Sequence, residues 1–181
     1  MNKLFVKNKI VPAYLFEDIL YDLENITGYK SAVSGKNNIR EVDDKTRNSI
    51  SKRLRPSEFL DLNKLIENFC QKLNDRYIPS TLMVKELEYL KYELTGHFET
   101  HHDIIYDKNP RRIRRFTSIT LLSKTNNLEG GDLIIFDDNE NAININLEVG
   151  ETVLFHSSTL HQVTPITKGG REVLVAWIYD R

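Results

Sequence analysis

The sequence predicts a mainly β fold with N-terminal helices, of the double-stranded β-helix or jelly-roll kind. Three observations carry this. From Leu82 onward, apolar and β-branched residues fall into eight short runs, at 82–93, 97–103, 116–123, 131–136, 141–147, 152–156, 159–164 and 171–179. Asn126-Asn127, Gly130-Gly131, Asp138-Asn139, Gly150 and Lys168-Gly169-Gly170 separate them, and these residue types suit tight turns. Eight short strands at such spacing read as two packed sheets or a barrel. The chain of 181 residues suits one domain with a substantial core, with 1–80 as helical support and loop and 81–181 as the jelly-roll core.

Taken in order, residues 4–7 read as a short edge strand. In PAYLFEDILYDLENI, Leu15, Ile19 and Leu23 recur at helical spacing while Glu17, Asp18 and Asp22 take other faces. Pro12 fits the first turn and Gly28 the end. Residues 30–55 are polar and weakly periodic, with turn chemistry at Gly35-Lys36-Asn37-Asn38, and read as a long loop holding at most a short strand. Such a loop is either a lid over a site or a solvated connection. Residues 57–77 form the second expected helix, with Ser57 as N-cap and Phe59, Leu62, Leu65, Ile66, Phe69 and Leu73 as its apolar stripe. Cys70 belongs in or beside that stripe, and Pro79 closes the segment.

Composition narrows the function. Charged residues make up 28% and hydrophobic ones 40%, as in an ordinary globular domain, and the net charge of −1 argues against nucleic acid or a membrane surface as partner. No apolar run approaches the ~20 residues needed to span a bilayer. A single cysteine permits no internal disulfide and suggests a reducing, cytoplasmic setting. The lysines in MNKLFVKNKIV make a poor signal peptide.

The chemistry concentrates in YELTGHFETHHD, residues 92–103. On a strand, residues two apart share a face, so His101 and Asp103 can meet one metal ion while His102 points away. His161, about 60 residues later, is the candidate third ligand. Two histidines and one carboxylate with open positions opposite form the facial triad of non-haem Fe(II) oxygenases. His97 and His102 are better read as surface or satisfied core residues. A 2-oxo acid can chelate such an iron, and if it is 2-oxoglutarate its far carboxylate needs a buried cation. Arg171, ten residues after His161, fits that need through a planar guanidinium. Lys168 is the alternative, but its glycine-rich turn should leave it exposed. The same triad also suits a zinc-dependent hydrolase, or a non-catalytic metal-binding jelly-roll module. A zinc site does not account for Arg171, and a non-catalytic module would show no 2-oxoglutarate-dependent oxygen uptake.

These residues, together with Arg114-Arg115-Phe116-Thr117, Gly130-Gly131-Asp132-Leu133, Gly150-Glu151-Thr152-Val153-Leu154-Phe155 and His161-Gln162-Val163-Thr164-Pro165-Ile166…Gly170-Arg171…Trp177, resemble the Fe(II)/2-oxoglutarate-dependent dioxygenases of the prolyl-4-hydroxylase-like type. The resemblance covers about 82–180 and is nearest to small bacterial and phage members. It implies Fe(II) and 2-oxoglutarate as cofactors, with ascorbate as a candidate reductant. It implies His101, Asp103 and His161 as iron ligands and as the catalytic centre, and Arg171 as the anchor for the far carboxylate. Tyr92 would bond the cosubstrate and Thr117 would line the back wall of its pocket. Leu121 stands where many relatives carry a tyrosine. Trp177 would stand near the metal as core or pocket wall, and Arg115 and Trp177 are the candidate substrate contacts. The implied reaction is hydroxylation of an unactivated C–H in a prolyl or other amino-acid residue, or in a free amino acid. The partner would be a peptide or an amino-acid-like small molecule. The Arg111, Arg112, Arg114 and Arg115 cluster could meet an acidic group; it is also the sole support for a nucleic-acid substrate.

Overall fold

The computed structural model describes residues 4–24, 28–31, 33–34, 40–73, 81–105 and 113–180. Its elements are β1 (Phe5–Asn8), α1 (Ala13–Leu23), β2 (Tyr29–Lys30), β3 (Val33–Ser34), β4 (Arg40–Glu41), β5 (Arg47–Asn48), β6 (Ile50–Leu54), α2 (Leu60–Phe69), β7 (Leu82–Tyr92), β8 (His97–His101), β9 (Arg114–Lys124), β10 (Leu133–Phe136), β11 (Ala142–Ile145), β12 (Thr152–His156), β13 (His161–Val163) and β14 (Arg171–Asp180). All eight strands expected after residue 81 are present. A seven-stranded sheet runs β1-β12-β9-β14-β7-β6-β2, and a five-stranded sheet runs β11-β10-β13-β8-β5. The strand pairs are antiparallel throughout.

The larger sheet is covered on both faces, which explains why β9 and β14 read as nearly continuous apolar runs. On β14, Val173, Val175, Trp177 and Tyr179 point toward the smaller sheet and pack with Leu133, Ile135 and Val163 from it. Leu174, Ala176 and Ile178 point the other way, onto Ile19 and Leu23 of α1 and Leu62, Ile66 and Phe69 of α2. Full burial of a side chain such as Leu62 or Ile66 is worth about 1.5–3 kcal/mol. The helices thus back the larger sheet, whose other face carries Tyr92, Thr117, Arg171 and Trp177, while His101 and His161 come from the smaller one. Cys70 lies in this packing, its thiol against the Ile66 carbonyl, and burial pushes its pKa up to about 12.

Two expectations need correction. The described residues of 30–55 are not a long loop: β5 extends the smaller sheet beside β8, β6 extends the larger one beside β7, and β3 pairs with β4 in a separate two-stranded sheet. Strands at or next to a sheet edge are often polar and charged, which hides them from a hydrophobic pattern. Nor does Ser57 cap the second helix. Pro56–Glu58 form a 3-10 turn, and α2 starts at Leu60 with Phe59 ahead of it and no side-chain cap. Asn63 instead bonds back to the Pro56 carbonyl at 2.8 Å. The Gly35–Asn38 turn, the helix ends expected at 25–27 and 74–77, Pro79, Arg111 and Arg112 lie outside the described residues.

Candidate metal and cosubstrate site

The two histidines meet because of strand register. β13 runs antiparallel to β8 with His161 directly opposite His101, so both side chains leave the smaller sheet on one face. Their rings lie 4.2 Å apart between centroids. Each Nδ1 faces the carbonyl two residues earlier: Glu99 at 2.7 Å for His101, Thr159 at 2.9 Å for His161. A carbonyl only accepts, so each Nδ1 carries the proton and each Nε2 presents a lone pair. Phe98 stacks on His101 at 3.6 Å and Phe155 meets His161 edge-on at 4.8 Å, which fixes the ring planes.

Asp103 arrives differently. β8 ends at His101, and the chain then crosses toward the larger sheet, where the Asp103 N–H donates to the Ser157 carbonyl at 2.8 Å. Its Oδ2 accepts from Thr117 Oγ1 at 2.8 Å and from the Trp177 indole N–H at 2.9 Å. Its Oδ1 accepts no hydrogen bond among the described residues and lies 3.7 Å from His101 Nε2. Oδ2 lies 3.7 Å from His161 Nε2. All three ligand atoms fall within 4.8 Å of one another, the one such grouping of three metal-ligating side chains among the described residues. The protonation states suit a cation. Burial, and then His161, push the His101 imidazole down to about 4. Burial opposes ionisation of Asp103, but the two imidazoles and the bonds from Trp177 and Thr117 outweigh it and hold its pKa below the usual carboxylate value.

At the start of β14, Arg171 sits across from Tyr92 on β7. It is 7% exposed. One Nη donates to the Gly131 carbonyl, Nε has no hydrogen-bond partner, and no carboxylate forms a salt bridge with it among the described residues. A buried guanidinium left this way calls for an anion from outside the chain. Gly130 and Gly131 make the approach possible. Both have positive φ, and a Cβ on Gly130 would stand 2.1 Å from the Pro165 carbonyl oxygen. Tyr92 is buried beside Arg171, and burial raises its pKa against the pull of Arg47 and Arg171, so the hydroxyl stays a donor. Lys168 is exposed and pairs with Glu129 at 3.2 Å.

Other expected residues take places the sequence did not specify. The Thr117 hydroxyl is committed to Asp103 and, at 3.1 Å, to Ser157. Trp177 is 8% exposed, with its indole nitrogen on Asp103 and its ring 4.2 Å from the Arg114 guanidinium. Arg114 is held by both oxygens of Glu86 at 2.9 Å and by the Tyr179 hydroxyl at 2.8 Å. Arg115 pairs with Asp180 at 2.6 Å. His102 is exposed. His97 bonds the Thr95 and Lys45 carbonyls.

Residues 87–179 match the family model described as the 2OG-Fe(II) oxygenase superfamily. The chain belongs to that superfamily. Its cofactors are Fe(II) and 2-oxoglutarate, and the residues fit both: three facing donors for the metal, and an unpaired buried guanidinium for a dicarboxylate. Among similar proteins of this oxygenase superfamily, a PKHD-type hydroxylase of Synechococcus sp. (strain CC9605) is 35% identical over 108 residues, 58% of this chain and 48% of that one. The chain spans about half the length of these relatives. In structure it is similar to a Pseudomonas putida prolyl-4-hydroxylase, with TM-score 0.68 at 16% identity, covering 98% of this chain and 93% of that one. It is also similar to the non-haem epimerase SnoN from nogalamycin biosynthesis, with TM-score 0.68 at 14% identity, covering 99% and 78%. No helix among the described residues is long and apolar enough to cross a membrane.

Proposed function

We propose that this chain is a non-haem Fe(II)/2-oxoglutarate-dependent hydroxylase acting on an unactivated C–H of an amino-acid-like substrate, free or within a peptide. The observation that carries it is the buried Arg171, which meets no carboxylate among the described residues and leaves its Nε without a partner, on the same sheet face as Trp177, which holds Asp103. When bound, Fe(II) would activate dioxygen, the oxidant, with two electrons coming from 2-oxoglutarate, which leaves as succinate and carbon dioxide, and two from the substrate C–H. The protein's work is placement. His101 and His161 offer Nε2, and Asp103 offers Oδ1 because its other oxygen is occupied. Arg171 takes the far carboxylate through its free Nε, and Tyr92 donates its hydroxyl nearby. Phe98 and Phe155 limit water around the imidazoles. The hydroxylase and prolyl-4-hydroxylase names of similar proteins support hydroxylation, while the epimerase is a reminder that this fold alone does not choose the reaction.

A zinc-dependent hydrolase would use the same three donors but has no need of a cation at the other end of the site. Anaerobic titration with Fe(II) and then 2-oxoglutarate, followed by succinate release in air, separates the two. The hydroxylase reading expects tight, metal-dependent 2-oxoglutarate binding and substrate-stimulated succinate. Metal binding with no 2-oxoglutarate affinity would overturn it.

A further inference from the structure

Arg47 and Glu88 form a second charged pair in the interior that the metal and its cosubstrate leave unused. Glu88 lies on β7 four residues before Tyr92, hence on the same face, toward the space between the sheets. Arg47 comes from β5 at the edge of the smaller sheet and reaches across to it. Their side chains are 7% and 4% exposed, yet the nearest nitrogen–oxygen distance is 3.6 Å, longer than a hydrogen bond. Arg47 Nε donates to Ser49 at 3.2 Å; among the described residues its Nη groups donate no hydrogen bond and the Glu88 carboxylate accepts none. The guanidinium lies 4.7 Å from the Phe98 ring centroid, and Phe98 stacks on His101. The pair is therefore one ring away from a metal-ligating imidazole.

Two charges taken out of water are costly unless hydrogen bonds compensate them. The same protein contains the compensated version. Arg114 and Glu86 close to 2.9 Å at two oxygens, with Tyr179 completing the set. A purely structural clip at Arg47 and Glu88 should close the same way. It stays open, with donors on one side, acceptors on the other, and unused valences on both.

We propose that Arg47 and Glu88 read the α-carboxylate and the α-ammonium of a free amino acid, which narrows the hydroxylase reading and rests on it. The carboxylate meets the Arg47 Nη groups, the ammonium meets Glu88, and the Cα they share turns its side chain toward the metal. A zwitterion matches the pair in charge at both ends and adds no net charge to a buried site. An internal peptide residue brings amide groups that can hydrogen-bond but carry no counter-charge.

The test uses the whole chain with Fe(II) and 2-oxoglutarate. The probes are a panel of free L-amino acids, each with its N-acetyl and its carboxamide form, and a short proline-containing peptide blocked at both ends. Thermal shift of the anaerobic complex reads binding, and succinate release in air reads turnover. The proposal expects at least one free amino acid to bind and stimulate succinate release, with each blocked form weaker in kcat/KM by on the order of 10²-fold. Arg47→Met should remove the discrimination between acid and carboxamide, and Glu88→Gln that between amine and N-acetyl. Blocked probes turned over as well as free ones, or no free amino acid binding at all, overturns it. So does a raised 2-oxoglutarate requirement as the main effect of Arg47→Met, since Arg47 would then serve the cosubstrate. The comparison of probes on the unmodified chain stands even if a variant does not fold. The Fe(II)–2-oxoglutarate charge-transfer absorption of the anaerobic protein separates the two levels. If it is present but free amino acids are ignored, only this proposal falls; if it is absent, the hydroxylase reading falls with it.

Discussion

Two arginines on the inner face of the larger sheet, both with little exposure, have opposite surroundings. Arg114 is saturated: Glu86 from β7, Tyr179 from β14 and the Trp177 ring hold it from three sides. Arg171, at the other end of β14, has one carbonyl and an idle Nε. Residue type and burial are nearly the same, so neither tells them apart. What differs is whether the chain itself completes the hydrogen bonds. The completed set at Arg114 is architecture, and the incomplete one at Arg171 is what supports the proposed carboxylate contact.

The largest expected effect bears on what Arg114 supports. Asp103→Ala should abolish metal-dependent 2-oxoglutarate binding and hydroxylation together; substrate-coupled succinate at the unmodified level would remove Asp103 from the site. Next comes the contrast itself. Arg171→Met should raise the 2-oxoglutarate requirement by roughly 10²–10³-fold, because a carboxylate loses its charged partner. The melting temperature of the metal-free protein should hold or rise, because an unpaired buried charge disappears. Arg114→Met should do the reverse to stability, losing about 2 kcal/mol, or roughly 4–8 °C in Tm, as a three-strand network comes apart. Equal losses of Tm in both variants would dissolve the distinction. Smaller still, Trp177→Phe keeps the ring but removes the donor to Asp103, and metal affinity measured with Co(II) should fall about 10–100-fold.

The smallest effect concerns His97. Burial would lower its pKa, but hydrogen bonds to the Lys45 and Thr95 carbonyls outweigh burial and raise it. Both ring nitrogens face acceptors, so the clamp is complete only in the imidazolium form. A raised folded-state pKa gives stability that is full below the unfolded value of about 6.5 and fades as pH climbs through the folded one. The difference in urea midpoint between the unmodified chain and His97→Phe should therefore be larger at acidic than at alkaline pH. A difference that does not change with pH would mean that His97 acts by packing alone.

The sequence made some of this legible and hid the rest for physical reasons. The strands of 82–179 showed because turn residues punctuate them, and the three candidate metal ligands, which the structure brings together, showed because an HxD triplet and a distant histidine are unusual neighbours for Arg171. Trp177 and Thr117 were visible as residues, but not as donors to Asp103. That role depends on the register of β14 and β9, which no local pattern encodes. Arg47 and Glu88 were missed altogether. Arg47 sits in a polar stretch that reads as solvated loop, and Glu88 looks like one more charge alternating along β7. A carboxylate flanked by Leu87, Tyr89 and Leu90 in a strand buried on both faces was the available hint.

The segment from Arg47 to Leu54 contributes a strand to each sheet, with only Ser49 between the two. Ser49 is itself bonded to the Ser31 hydroxyl at 2.6 Å. A single short staple thus sets how far the two halves of the sandwich can gape at the edge where β5 and β6 lie. Parting the sheets on that side means breaking the backbone ladders that tie β5 to β8 and β6 to β7.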